Sequence, residues 1–115
     1  MPSLGQFPPI EVVTSVAIAN GQTVSDAVDL GGLRPIALVT PAALTGTSFT
    51  FQSSVDGTTF VPVYDSSGSQ VSVTVSTSRF IVLSPTSFAG VRFLKVVSGS
   101  AEGAARTIQI VARAI

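Results

Sequence analysis

The stretch "SFTFQSSVDGTTFVPVYDSSGSQVSVTV" (48–75) constrains the fold more than any other part of the chain. In "SFTFQSS" Phe49 and Phe51 fall on one side, and Ser48, Thr50 and Gln52 on the other. In "VSVTVS" (71–76) Val71, Val73 and Val75 alternate with hydroxyl side chains and are expected to point inward. A period of two puts one set of side chains on a core and the other in solvent, which is the signature of a half-buried β-strand. Asp56-Gly57 and "DSSGSQ" (65–70) read as the turns between strands, because Gly accepts positive φ and Asp hydrogen-bonds to backbone two residues on.

The rest of the chain continues the pattern. Val, Ile and Thr make up 36 of 115 residues, and β-branched side chains favour pleated structure. "IEVVTSVAIA" (10–19) reads as a strand, and Asn20-Gly21 after it predicts a type I′ hairpin returning through "QTVSDAVDL" (22–30). "RPIALVT" (34–40) reads as a mostly buried strand, with Pro35 at its start or on an edge because it cannot donate to a ladder. "PAALTG" (41–46) is the one stretch that suggests a helical turn. In "TFVPVYD" (59–65) Val61 and Val63 share one face, and Phe60 and Tyr64 the other. "RFIVL" (79–83) is apolar on both sides, which predicts that both faces are covered. "SPTSFAG" (84–90) reads as a loop, "VRFLKVVS" (91–98) as a strand, "GSAEGAA" (99–105) as a flexible turn and "RTIQIVARAI" (106–115) as the last strand.

Eight or nine short strands at this spacing predict an all-β fold, an antiparallel β-sandwich of jelly-roll-like form. An immunoglobulin-like sandwich is the alternative, although its Cys…Trp…Cys hallmark is absent. The length suits one domain, assigned to residues 10–115. Before it, residues 1–9, "MPSLGQFPP", form an extended Pro-rich segment. Two readings fit it: a frayed terminus, or an arm whose Leu4 and Phe7 dock on a neighbouring subunit.

Composition narrows the chemistry. The chain has no Cys and no His, so thiol catalysis, a Ser-His-Asp triad and the usual transition-metal ligands are out of reach. The six carboxylates are scattered, with Asp56 and Asp65 assigned to turns. "DSSGSQ" lacks the spaced acids of a calcium loop, and "GG" at 31–32 is not followed by the helix and Lys of a phosphate loop. The expectation is therefore a protein that is not an enzyme and carries no cofactor or metal. Six basic and six acidic residues give zero net charge, without the basic footprint of a nucleic-acid binder. No apolar run is long enough to be a membrane helix. "MPSLGQFPPIEVV" lacks the basic and apolar regions of a signal peptide, so use in a cytoplasm is expected.

Only 10% of residues are charged, against about 25% in an ordinary soluble domain, and mean hydropathy is +0.58. Either Ser and Thr coat the surface, or other chains cover much of it, as in obligate assemblies. Five of the six cations are Arg, the residue suited to desolvated contacts. Arg92 and Arg113 fall within strand patterns and are candidate interface residues, together with Leu4 and Phe7; the plainer reading puts both Arg on solvent faces.

The runs "LRPIALVTPAALTGTSFTFQSSVDGTTFVPVYDSSG", "RFIVLSPTSFAGVRFLKVVSGS" and "RTIQIVAR" resemble small virion proteins of tailed bacteriophages over about residues 30–113. The distinctive core is "FQSSVDGTTF". The resemblance implies a jelly-roll module with a structural role, most simply a capsid cement or decoration subunit that bridges neighbouring capsid subunits. It implies the major capsid protein as partner, self-association with a trimer as the first expectation, and residence in a virion assembled in the host cytoplasm. The alternative it implies is a tail- or neck-associated sandwich, in which Tyr64 and the polar loops would bind carbohydrate. The resemblance supplies no catalytic residues.

Overall fold

Among the residues described by the computed structural model, 11–114, nine strands form two antiparallel sheets. They are β1 (Glu11–Ile18), β2 (Val28–Asp29), β3 (Arg34–Val39), β4 (Ser48–Ser54), β5 (Val61–Pro62), β6 (Ser72–Thr74), β7 (Phe80–Val82), β8 (Phe93–Ser98) and β9 (Arg106–Arg113). The first sheet runs β1-β9-β3-β7 and the second β2-β8-β4-β5. β6 lies on the same edge of β4 as β5: β5 pairs with Gln52 and Ser53, and β6 with Ser48 to Thr50. Together they occupy one strand position. The chain changes sheet at most connections and its first and last strands pair, which is jelly-roll winding. The segment 1–9, with Leu4 and Phe7, lies outside the described residues.

The alternation in the sequence places the core. Phe49 and Phe51 of β4 are buried, while Ser48, Thr50 and Gln52 are half-buried on the opposite face. They pack against Val16 and Ile18 of β1, Leu38 of β3, Leu94 and Val96 of β8, and Ile108 and Ile110 of β9. Val75 is buried, and Val71 and Val73 pack against the same cluster. Pro35 sits near the start of β3, where the register against β9 shifts between Pro35 and Ala37, so the missing donor falls at a bulge.

Three local expectations fail. The Asn20-Gly21 hairpin does not form: β1 pairs with β9, and β2 crosses to pair with β8 in the other sheet. Gly21 has φ +82°, and no positive φ occurs at Asn20. Gln22 N–H donates to Ala19 C=O at 3.0 Å, so the turn is of type II and carries the chain over the end of the sandwich. "PAALTG" forms no helix, because the N–H groups of Thr45 and Gly46 are taken by a carboxylate far along the chain. Among the described residues the helical piece is instead a single 3₁₀ turn, Pro85–Phe88, whose Phe88 meets the Phe51 ring edge-on at 5.0 Å. Finally, β7 is covered on one face only. Ile81 packs on the core, but Phe80 and Val82 are 64% and 76% exposed.

Candidate functional site

Each carboxylate has a structural task. Asp26 accepts from Ala17 N–H at 2.8 Å, tying the start of the crossover to β1. Asp56 accepts from the N–H groups of Thr58 and Thr59 and from the Ser54 hydroxyl. Those backbone donors hold its carboxyl down to about 2. Asp65 accepts from the hydroxyl and N–H of Ser67 and from Ser69 N–H, and its carboxyl is likewise held low. The expected turns at 56–57 and 65–70 are thus formed by side-chain mimicry of backbone. Among the described residues no group of three or more His, Cys, Asp or Glu converges on one point.

Arg92 precedes β8 and faces Asp29 across the sheet edge. Its Nε lies 3.0 Å from Oδ1 and its Nη2 3.2 Å from Oδ2, with the guanidinium 4.8 Å from the Phe93 ring centroid. The hydrogen bond from Arg92 holds the Asp29 carboxyl low, and Asp29 in turn raises Arg92. Arg113 ends β9 with Nη2 2.6 Å from Glu11 Oε2, its register partner on β1. Both Arg lie at the end of the sandwich where β1 begins and β4 ends, and each holds a carboxylate of its own chain.

Glu102 was not singled out by the sequence. It lies in "GSAEGAA", which reads as a flexible turn, yet its side chain is fully buried. Oε1 accepts from Thr45 N–H at 2.8 Å and Arg106 Nε at 2.9 Å, and Oε2 from Gly46 N–H at 2.9 Å and the Ser98 hydroxyl at 2.7 Å. Its backbone accepts from Gly21 N–H and donates to Gln22 C=O. One residue therefore joins the 19–22, 45–46 and 98–106 loops at the other end of the sandwich. Burial pushes its carboxyl up, but the four donors outweigh burial and hold it at about 2. The signal that was available is an acid four residues before Arg106 in an otherwise small-residue loop.

The two outer faces of the sandwich differ. On the second sheet the outward rows read Ser72–Thr50–Val97 and Pro62–Gln52–Lys95, with Lys95 Nζ 4.4 Å over the Phe60 ring. On the first sheet one row reads Val13–Val111–Ala37–Val82 across all four strands. The next reads Ser15–Gln109–Val39–Phe80. Ala37 and Val111 are buried but are not part of the core cluster, as befits outward positions. Val13 is 57% exposed. Of the first row only Val13 and Val82, at the two edge strands, reach solvent. No charge lies in either row.

A second feature is a pair of adjoining cavities beside the 65–70 turn. One, about 240 Å³, is lined by Tyr64, Asp65, Ser66, Thr86 and Ser87; the other, about 210 Å³, shares Asp65 and Ser87 and is floored by Val71, Val73 and Phe88. Tyr64 is 57% exposed.

The architecture defines the chain as an all-β, jelly-roll-like sandwich that exposes Val13, Phe80 and Val82 on the outer face of its first sheet. No family model matches the sequence, and no curated protein matches it. Among solved structures it is similar to the SPBc2 prophage-derived protein YomS, with a TM-score of 0.52 over 90% of this chain and 95% of that one. At 12% identity the likeness is one of fold. No helix among the described residues is long and apolar enough to cross a membrane.

Proposed function

We propose that this chain is a non-enzymatic structural subunit of a phage-type virion: a capsid cement or decoration protein that bridges neighbouring capsid subunits as a homo-oligomer. The observation that carries this role is the exposure of Val13, Phe80 and Val82, in two rows free of charge on the outer face of the first sheet, on a neutral chain of which 10% is charged. A monomer in water gains nothing from exposing Phe80 and Val82, whereas an assembly buries them at about 25 cal/mol per Å², less the costs of association. Repetition over a shell then turns modest contacts into avidity. The resemblance of the "FQSSVDGTTF" core to phage virion proteins supports the same role, as does a fold shared with a prophage-derived protein. The partner is the major capsid protein, with no nucleic acid, membrane or cofactor involved, and the protein resides in a virion assembled in the host cytoplasm. In this role Arg92 and Arg113 remain rim contacts, and Leu4 and Phe7 contacts from the N-terminal segment. Co-sedimentation with purified heads is the test. Pelleting in a fixed ratio is expected; protein that stays in the supernatant at every ratio rejects the cement role.

The cavities beside Tyr64 favour one second reading, a tail- or neck-associated carbohydrate-binding module. They combine an exposed aromatic ring with hydroxyls of Ser66, Thr86 and Ser87. Specific glycan-array binding that is lost in Tyr64→Ala is its expected signature, and a blank array rejects it.

A further inference from the structure

We infer that Asn20-Gly21 is a covalent modification site of this chain, where the Asn20 side-chain amide becomes a carboxylate through a cyclic imide with the Gly21 nitrogen, at a rate set by the contact of Gly21 with Glu102. Asn20 is the chain's only asparagine, a thermolabile residue type. The pair forms no hairpin and serves no ladder. Both residues are exposed, so water reaches them. Gly21 has no Cβ, and nothing lies within 4 Å of where one would stand, so no side chain blocks ring closure. One set of contacts does oppose it. Gly21 N–H donates to Glu102 C=O at 2.7 Å, Glu102 N–H donates to Gln22 C=O at 3.0 Å, and Gln22 N–H closes the turn on Ala19 C=O at 3.0 Å. The attacking nitrogen is thus engaged in a clasp whose far half is anchored by the buried Glu102 side chain.

The chemistry needs only water. Hydroxide removes the Gly21 amide proton, and the nitrogen attacks Asn20 Cγ. A new Cγ–N bond forms, the Cγ–Nδ2 bond breaks, and ammonia leaves with a proton drawn from water. Water then opens the five-membered imide at one of its two carbonyls. Opening at Cγ leaves aspartate at position 20. Opening at the main-chain carbonyl leaves isoaspartate, with the side-chain methylene inserted into the backbone. The sum is amide plus water to carboxylate plus ammonium, without oxidant or reductant. The hydrogen-bonded Gly21 N–H cannot attack, so the reaction proceeds from the molecules in which the clasp has opened locally. Either product adds one negative charge to a chain whose net charge is zero. Isoaspartate also displaces Gly21 N–H and Gln22 C=O from Glu102, so the modified loop does not close again over the buried carboxylate. Asp56-Gly57 has the same spacing, but its carboxylate is ionised, a poor electrophile, and is held by the N–H groups of Thr58 and Thr59.

The test is timed incubation of the purified full chain at neutral pH, read by ion-exchange chromatography, ammonia release and peptide mass mapping, with isoaspartate detected by enzymatic methylation. The wild type, Asn20→Gln, Glu102→Ala and Glu102→Gln are compared, each folded and in guanidinium chloride. One acidic form is expected, mapped to position 20, matched by released ammonia and absent from Asn20→Gln. The folded wild type should form it roughly 10-fold or more slowly than the unfolded chain, and Glu102→Ala should recover most of that difference. Glu102→Gln keeps the side chain's shape and should give an intermediate rate; it carries the comparison where Glu102→Ala does not fold. The isolated isoaspartate form should unfold at a lower urea midpoint than its parent. An acidic form that maps elsewhere, or none in any folded protein, overturns the site. Equal rates in folded and unfolded wild type, or a folded rate indifferent to both Glu102 variants, overturn control by the clasp.

Discussion

The two ends of the sandwich are closed by the same chemistry in different surroundings. At one end Glu102 meets Arg106 at 2.9 Å with its side chain wholly inside. At the other Asp29 meets Arg92 at 3.0 Å with side chains 47% and 60% exposed. The distances barely differ; the dielectric does. A buried carboxylate has given up water and depends on every donor around it, so losing a partner exposes the full desolvation penalty. An exposed carboxylate is re-solvated as its partner leaves, and salt screens what attraction remains. Arg113 with Glu11, each about two-fifths exposed, belongs with the exposed pair.

Breaking the buried end should have the largest effect. Glu102→Ala leaves Arg106, the Ser98 hydroxyl and the N–H groups of Thr45 and Gly46 without their acceptor, and should cost about 3–5 kcal/mol in urea unfolding. Acid should dissolve the same site. The carboxyl is held at about 2 in the folded chain, against 4.5 for the ordinary group. Its contribution is complete above pH 4.5 and fades as pH falls toward 2. The difference corresponds to about 3 kcal/mol. Stability measured across that window should fall in the wild type, and Glu102→Gln should remove that part of the slope.

Gly46→Ala sharpens the contrast sterically. A Cβ there would lie 2.0 Å from the Ser98 hydroxyl oxygen and 3.2 Å from Glu102 Oε2. The side chains around Glu102 would have to shift, at about 1–3 kcal/mol by the same urea measurement. Asp29→Asn should do least. Its urea midpoint should match the wild type at high salt, with any difference confined to low salt. A large, salt-independent loss would show that the exposed end behaves like the buried one and would collapse the distinction.

The contrast also separates what could be read in the sequence from what could not. Phe49 and Phe51, Val71 to Val75 and the Asp56 and Asp65 turns follow from alternation and turn chemistry, which act over a few residues, and the structure places them as expected. Glu102 could not be read in the same way. Its partners at 45–46 lie more than fifty residues away, and a lone acid among Gly, Ala and Ser looks solvated until those loops meet. "RFIVL" failed for a related reason. An apolar run says that both faces avoid water, and does not say whether this chain or another covers them. Arg92 and Arg113 were legible as unusual residues, but their carboxylate partners were not.

By itself, the sequence determined the class of fold and the poverty of ionisable chemistry. Period-two alternation admits only strands, and a chain without His or Cys cannot acquire them by folding. Tertiary structure alone decided which strands pair, and with that the rest. By taking β1 to β9 and not into the Asn20-Gly21 hairpin, the fold aligned Val13, Val111, Ala37 and Val82 into one row. By bringing the 45–46 and 98–106 loops together, it buried Glu102. Pairing register and loop closure depend on contacts distant in the chain, which local propensity does not encode.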